Sequence, residues 1–152
     1  MSDVRWLTAP EQRAWRGYRR MRARLDLQIT RDLGRDGLSD GDYDVLSSLS
    51  ETPDHRLRLT ELAGVMLWTA SRLSHHISRM QQRGLVTREE VAADGRGAEI
   101  VLTAEGLATI ERVAPAHVAS VREHFVDLLT AEQLETLAEL TERVLNHLSE
   151  AK

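Results

Sequence analysis

Between Thr69 and Gly84 the chain carries Ser71, Arg72, Ser74, His75, Ser78 and Arg79 and not a single carboxylate. Guanidinium, imidazole and hydroxyl groups gathered in this way supply hydrogen-bond donors and positive charge, which suits the binding of a polyanion rather than the breaking of a bond. Leu73, Ile77 and Met80 are spaced i, i+4, i+7 among them, so one helix would turn an apolar seam inward and its donors outward. Solvated helix faces more often pair Glu with Lys, each pair adding about 0.2–0.5 kcal/mol. Ser, Arg and His in their place point to selection by a partner rather than by helix stability.

The six histidines are the only residues that suggest catalysis or metal binding, and their spacing is poor for both. His75 and His76 are adjacent and would project about 100° apart on a helix. His55, His117, His124 and His147 stand elsewhere, without a His-Glu-x-x-His pattern, a paired cysteine, a glycine-rich phosphate loop or a nucleophile elbow. We therefore expect no catalytic residue, no metal ligand set and no cofactor. His76 borders the apolar seam and reads as a core histidine with its polar atoms satisfied.

A donor-bearing helix needs neighbours to cover its seam, and the chain signals them in order. Thr8-Ala9-Pro10 opens a long amphipathic helix with Trp15, Tyr18, Met21, Leu25, Ile29 and Leu33 at steps of three and four, closing near Gly34 to Gly37. Ser39 and Asp42 form a capping pair for a second helix carrying Tyr43, Leu46 and Leu49, which Thr52-Pro53-Asp54 breaks. Leu57 and Leu59 fit a short extended piece, after which Thr60 caps a third helix with Leu62, Ala63 and Met66. The fourth helix then runs from about Ala70 to Arg83 and stops at Gly84. From Leu85 to Leu102 the period becomes that of two strands around Ala92-Ala93-Asp94-Gly95-Arg96-Gly97. Thr103 begins a long helix with Leu107, Ile110 and Val113, which Pro115 should kink before Val118, Val121, Phe125 and Leu128 continue its apolar face. Thr130 and Gln133 box the last helix, striped by Leu134, Leu137, Val144 and Leu148.

A length of 152 residues fits one compact domain. No apolar run approaches the roughly 18 residues of a membrane span, and the N-terminus lacks the pattern of a secretory signal, so we expect a cytoplasmic protein without membrane contact. With no cysteine there is no disulfide, thiolate metal site or thiol redox switch. The formal net charge of −4 argues weakly against a polyanionic partner, but the charges are unevenly placed. Arg56, Arg58, Arg72, Arg79, Arg83 and Arg88 face one acid, Glu61, within a single stretch, whereas nine acids outnumber four bases from Thr103 onward. The acidic C-terminal part masks a basic island.

Helix, tight turn, helix and hairpin between Thr60 and Leu102 follow the order of a winged helix-turn-helix. Its second helix must bury one face and offer the other to a major groove about 12 Å wide. These residues resemble the MarR family, the multiple antibiotic resistance regulators. The likeness spans nearly the whole chain and is strongest at Leu59-Thr60-Glu61-Leu62-Ala63, Arg83-Gly84-Leu85-Val86, Asp94-Gly95-Arg96-Gly97 and Val101-Leu102-Thr103-Ala104-Glu105-Gly106. It implies a mainly α fold with a small β-hairpin wing, in one domain over residues 1–152. Within that domain the resemblance implies a dimerisation region (8–36 and 104–150) formed by the N- and C-terminal helices, and a winged helix-turn-helix DNA-binding lobe (39–103).

The expected activity is that of a homodimeric transcription regulator, a repressor by family habit, on a palindromic double-stranded operator. In this reading Arg72, Ser74 and His75 touch base edges while Thr69, Ser71, Arg79 and Arg88 hold phosphates. By the resemblance, Arg96 enters the minor groove and Asp94 steadies the turn or its arginine. The family commonly has arginine at His75, lysine at Ala70 and a small hydroxyl residue at Arg72, so the operator sequence does not carry over. Leu67 and Trp68 make the turn bulkier than usual, and Trp68 reads as core rather than as a ligand site. The resemblance also implies release by a small anionic aromatic effector near Trp15 and Tyr18, although a dimer-core role for those two rings is the simpler reading. A helical dimerisation module that binds protein instead of DNA is the alternative.

Overall fold

In the computed structural model, which describes residues 3–91 and 97–150, helices begin where a side-chain oxygen can meet an unpaired amide. Helix α1 (Ala9–Arg35) opens with a reciprocal pair, Glu11 N donating to Thr8 Oγ1 at 3.4 Å and Thr8 N to Glu11 Oε2 at 2.7 Å. The same exchange between Ser39 and Asp42, both bonds 3.0 Å, starts α2 (Asp40–Ser50). Thr130 and Gln133 repeat it at 2.9 and 3.1 Å for α6 (Ala131–Glu150). Each box satisfies two amides that the helix itself leaves unpaired.

Helix ends follow backbone conformation. After α1, Gly37 takes φ +76° and Leu38 N donates back to Leu33 O at 3.2 Å. After α4 (Ala70–Gln82), Gly84 takes the same φ and Leu85 N donates to Met80 O at 3.1 Å. Both closures use a left-handed residue that glycine adopts without steric cost. Helix α3 (Leu59–Met66) closes in the same manner on Leu67, a leucine at φ 55° that is 85% exposed, with Trp68 N donating to Ala63 O at 3.0 Å.

Two expectations need correction. Helix α3 begins at Leu59, so Thr60 lies inside its first turn; the capping position is Arg58, which makes no side-chain cap bond. The cause is a strand: β1 (Arg56–Arg58) pairs antiparallel with β3 (Ala98–Leu102), and this pairing already holds Arg58 extended where the helix starts. Helix α5 (Ala104–His124) continues through Pro115 without interruption but ends before Phe125, whose φ of −144° leaves helical space. Phe125 and Leu128 therefore lie beyond α5, Leu128 closing a short 3-10 turn over Val126–Leu128.

β2 (Val86–Glu90) joins the other side of β3, giving a sheet in the order β1-β3-β2, with Arg88 opposite Ile100 and Glu89 opposite Glu99. The chain divides into two compact units, residues 28–117 and residues 3–27 with 118–150. The first holds the hydrophobic core: Leu46, Leu49, Leu62, Leu73, Ile77, Met80, Val86 and Ile100 are all sealed from solvent. In the second, no described apolar residue is buried, and Trp6, Leu128 and Leu148 are 82, 72 and 62% exposed.

Candidate nucleic-acid interface

Helix α4 is amphipathic in the way its spacing predicts. Thr69 caps it, Oγ1 accepting from Arg72 N at 3.1 Å. Leu73, Ile77 and Met80 are fully buried, each contributing about 1.5–3 kcal/mol of apolar burial. On the other side Ser71, Arg72, His75, Ser78 and Arg79 are exposed and Ser74 is half-buried. No carboxylate lies on the helix, so nothing of its own would repel a phosphate placed against that face.

The exposed arginines are anchored from beneath. The Arg72 guanidinium lies 3.8 Å over the indole of Trp68. Trp68 is half-buried against the core and meets His76 edge-on, ring centres 5.2 Å apart at 83°. His76 is itself buried, with Nε2 2.9 Å from Asp42 Oδ1 and Nδ1 3.3 Å from Arg79 Nη2. The two contacts are compatible when Nε2 carries the proton and Nδ1 accepts from Arg79. His76 thus occupies the buried core position that its place in the seam suggested, with Nε2 beside the Asp42 carboxylate but making no aligned hydrogen bond to it.

Asp42 is the hub of this cluster. Beyond His76 it accepts from Ser39 N at 3.0 Å and from Arg83 Nη1 at 2.7 Å, while Arg83 Nη2 donates to Gly37 O at 2.7 Å. Burial disfavours the charged carboxylate, but the interactions with His76, the Ser39 amide and Arg83 outweigh it and hold the Asp42 carboxyl well below the ordinary carboxylate range. Sequence reading found Asp42 only as a helix cap.

On the hairpin, Arg88 turns back onto α4, Nη2 donating to Ser74 Oγ at 2.8 Å. The pair fixes β2 against α4 and occupies one acceptor site of Ser74. Asp94 and Arg96 lie outside the described residues. The basic island is smaller than its sequence count. Arg56 Nη1 reaches Glu99 Oε2 at 3.0 Å and Glu89 Oε2 at 3.2 Å, and Arg83 is committed to Asp42. Arg72 and Arg79 remain as the exposed cations of α4.

Trp15 and Tyr18 belong to the unit of residues 3–27 and 118–150. Their ring centres are 6.0 Å apart at 31°, both rings are exposed, and the Arg19 guanidinium sits 5.6 Å from the Trp15 ring centre. Sequence reading missed Trp68 as the seat of Arg72. The four-residue spacing from Trp68 to Arg72 was visible, but a tryptophan between two helices reads first as core.

The sequence profile described as the MarR family matches residues 36–97. Among solved structures, the chain is similar to AbsC, a MarR family transcriptional regulator from Streptomyces coelicolor, with 44% identity, coverage of 97% of this chain and 99% of that one, and a TM-score of 0.94. It is also similar to Sco3205, a MarR family transcriptional regulator of the same organism solved in complex with DNA, with 42% identity, coverage of 97 and 93%, and a TM-score of 0.93. The transcriptional repressor YetL of Bacillus subtilis is 32% identical over 111 residues, which are 71% of this chain and 66% of YetL. With a near-complete overlap at this identity, and with the profile falling on the helix-turn-helix lobe, the chain belongs to the MarR family.

Proposed function

We propose that the chain is a sequence-specific, double-stranded DNA-binding transcription regulator that acts as a homodimer. The observation that carries this is the two-sided α4: a sealed apolar seam beneath a carboxylate-free face of Ser71, Arg72, His75, Ser78 and Arg79. That face suits the major groove, with Arg72, Ser74 and His75 toward base edges and Thr69, Ser71 and Arg79 toward phosphates. Arg88, tied to Ser74, contributes charge at the edge of the same surface. By family resemblance, Arg96 is assigned to the minor groove and Asp94 to steadying the turn or that arginine. Repression is the mode carried by YetL's name, and DNA is present in the Sco3205 structure.

The second unit supports the dimer. Residues 3–27 and 118–150 expose Trp6, Trp15, Tyr18, Leu140, Val144, Leu145 and Leu148 with no buried apolar residue among those described, which is the surface of an unfinished core. A second copy completes it, and two-fold symmetry makes the operator a palindrome. Trp15 and Tyr18 fall within this apolar surface, which favours a dimer role over an effector site for them. The protein works by binding rather than by bond chemistry, alongside the chromosome in the cytoplasm; none of its described helices is long and apolar enough to cross a membrane.

The test is fluorescence anisotropy of the purified protein with duplexes it selects from a randomised pool, across a salt series. We expect dimeric binding that weakens steeply as salt rises. A strictly monomeric protein, or one that binds no duplex at low salt, would overturn the proposal and favour the protein-interaction module.

A further inference from the structure

We infer that Trp68 is a positioning residue for DNA reading: its indole face holds the Arg72 guanidinium in the pose in which it meets a base edge. This rests on the reading that α4 enters the major groove. Arg72 lies 3.8 Å over the Trp68 ring, in the first turn of the helix, where recognition helices reach bases. A guanidinium stacks through its face while its five N–H groups point outward in its plane, so the contact leaves every donor free for the acceptor pair of a guanine. An unstacked arginine samples many rotamers and must give them up on binding; a stacked one has already done so.

A platform serves only if it is itself fixed, and Trp68 is held from several sides. Its amide donates to Ala63 O at 3.0 Å, and its ring packs against the core. Its edge meets His76, which is held by Asp42 at 2.9 Å. Gly41 backs the far end of the indole so closely that a Cβ there would come within 2.7 Å of Trp68 Cη2 and 3.2 Å of His76 Cε1. Trp68, His76 and Gly41 thus form a seat that sets Arg72, and through His76 Nδ1 also Arg79, without having to touch DNA themselves.

The experiment is a double-mutant cycle read as the ratio of affinities for the tightest duplex selected by the unaltered protein and for a scrambled duplex of the same length. Arg72→Ala should lower that ratio about 10-fold or more. Trp68→Leu should remove most of the same factor and add almost nothing on the Arg72→Ala background, while affinity for the scrambled duplex moves less than about twofold. Trp68→Phe, which keeps a π face, should restore most of the ratio. Gly41→Ala shifts the indole without removing it and should lower the ratio only while Arg72 is present, so it decides the matter if Trp68→Leu does not fold. An unchanged ratio in Trp68→Leu and Gly41→Ala, or losses that multiply independently of Arg72, would overturn the inference while leaving the DNA-reading role of α4 intact. An unchanged ratio in Arg72→Ala would overturn both.

Discussion

Asp42 and Arg83 meet at 2.7 Å, joining the first turn of α2 to the residue that ends α4. The carboxylate is buried and the guanidinium half-exposed, so the pair sits where one partner's charge is screened and the other's is not. Removing the carboxylate also takes away the half of the α2 capping box in which Ser39 N donates to Asp42, and the negative charge beside His76 Nε2.

We therefore expect Asp42→Ala to destabilise the protein by about 2–4 kcal/mol, read as a lowered urea midpoint. The Asp42 carboxyl lies below its ordinary value in the folded state, so the unfolded chain binds the extra proton first as pH falls. The stabilisation it supplies is complete above the ordinary carboxylate range, near pH 4, and is lost as pH drops from there toward the depressed folded value. Urea titrations between pH 5 and pH 2 should show this acid sensitivity in the native protein and a shallower loss in Asp42→Asn. Equal slopes would remove Asp42 as the group responsible.

Leu67 closes α3 in a left-handed conformation that costs an L-residue about 1–2 kcal/mol, and its exposed side chain recovers little of that by packing. Leu67→Gly relieves the backbone but frees the unfolded chain, for a net gain of up to about 1 kcal/mol. Thermal denaturation should show a midpoint raised by a few degrees; a fall would mean that Leu67 makes contacts its exposure hides.

Phosphate contacts are counted by salt. Arg79 is an exposed cation of α4, so Arg79→Ala should reduce the slope of log affinity against log salt by about 0.9. Arg56 is spent on Glu89 and Glu99, and Arg56→Ala should leave that slope unreduced. A smaller slope in the Arg56 variant and not in the Arg79 variant would reverse the assignment of the DNA-facing charge.

The exposed stripe of α6 is the place to break the proposed dimer. Leu145→Asp with Leu148→Asp puts two charges on an apolar surface that a second copy is proposed to cover. Sedimentation should shift from dimer to monomer, and operator affinity should fall by about 100-fold or more as the two half-sites lose their linkage. A doubly substituted protein that stays dimeric would place the interface elsewhere.

The elements legible in the sequence are those whose cause is local. Two of the three capping boxes, two glycine closures and the seam of α4 each involve residues within a few positions, and the structure has them where the spacing puts them. What could not be read depends on contacts between distant positions. The cap of α3 was misplaced because β1 is held by a strand more than forty residues later. Arg56 and Arg83 counted as free cations because Glu99 and Asp42, their partners, are forty-three and forty-one residues away. The Trp68–Arg72 stack is local, yet residue type alone does not separate a tryptophan that fills a core from one that carries a cation on its outer face.

β3 lies between β1 and β2, and β1 runs directly into α3. The hairpin stem and the helix-turn-helix are consequently stitched along one shared strand, with Arg88 and Ser74 as a further rivet. Such a plate ties the described stem of the wing to the helix-turn-helix on both sides of β3. For the proposed dimer, tightening or loosening the grip on an operator would then call for changing the separation or tilt of whole reading heads, and a ligand that merely flexed the hairpin would leave the spacing between half-sites untouched.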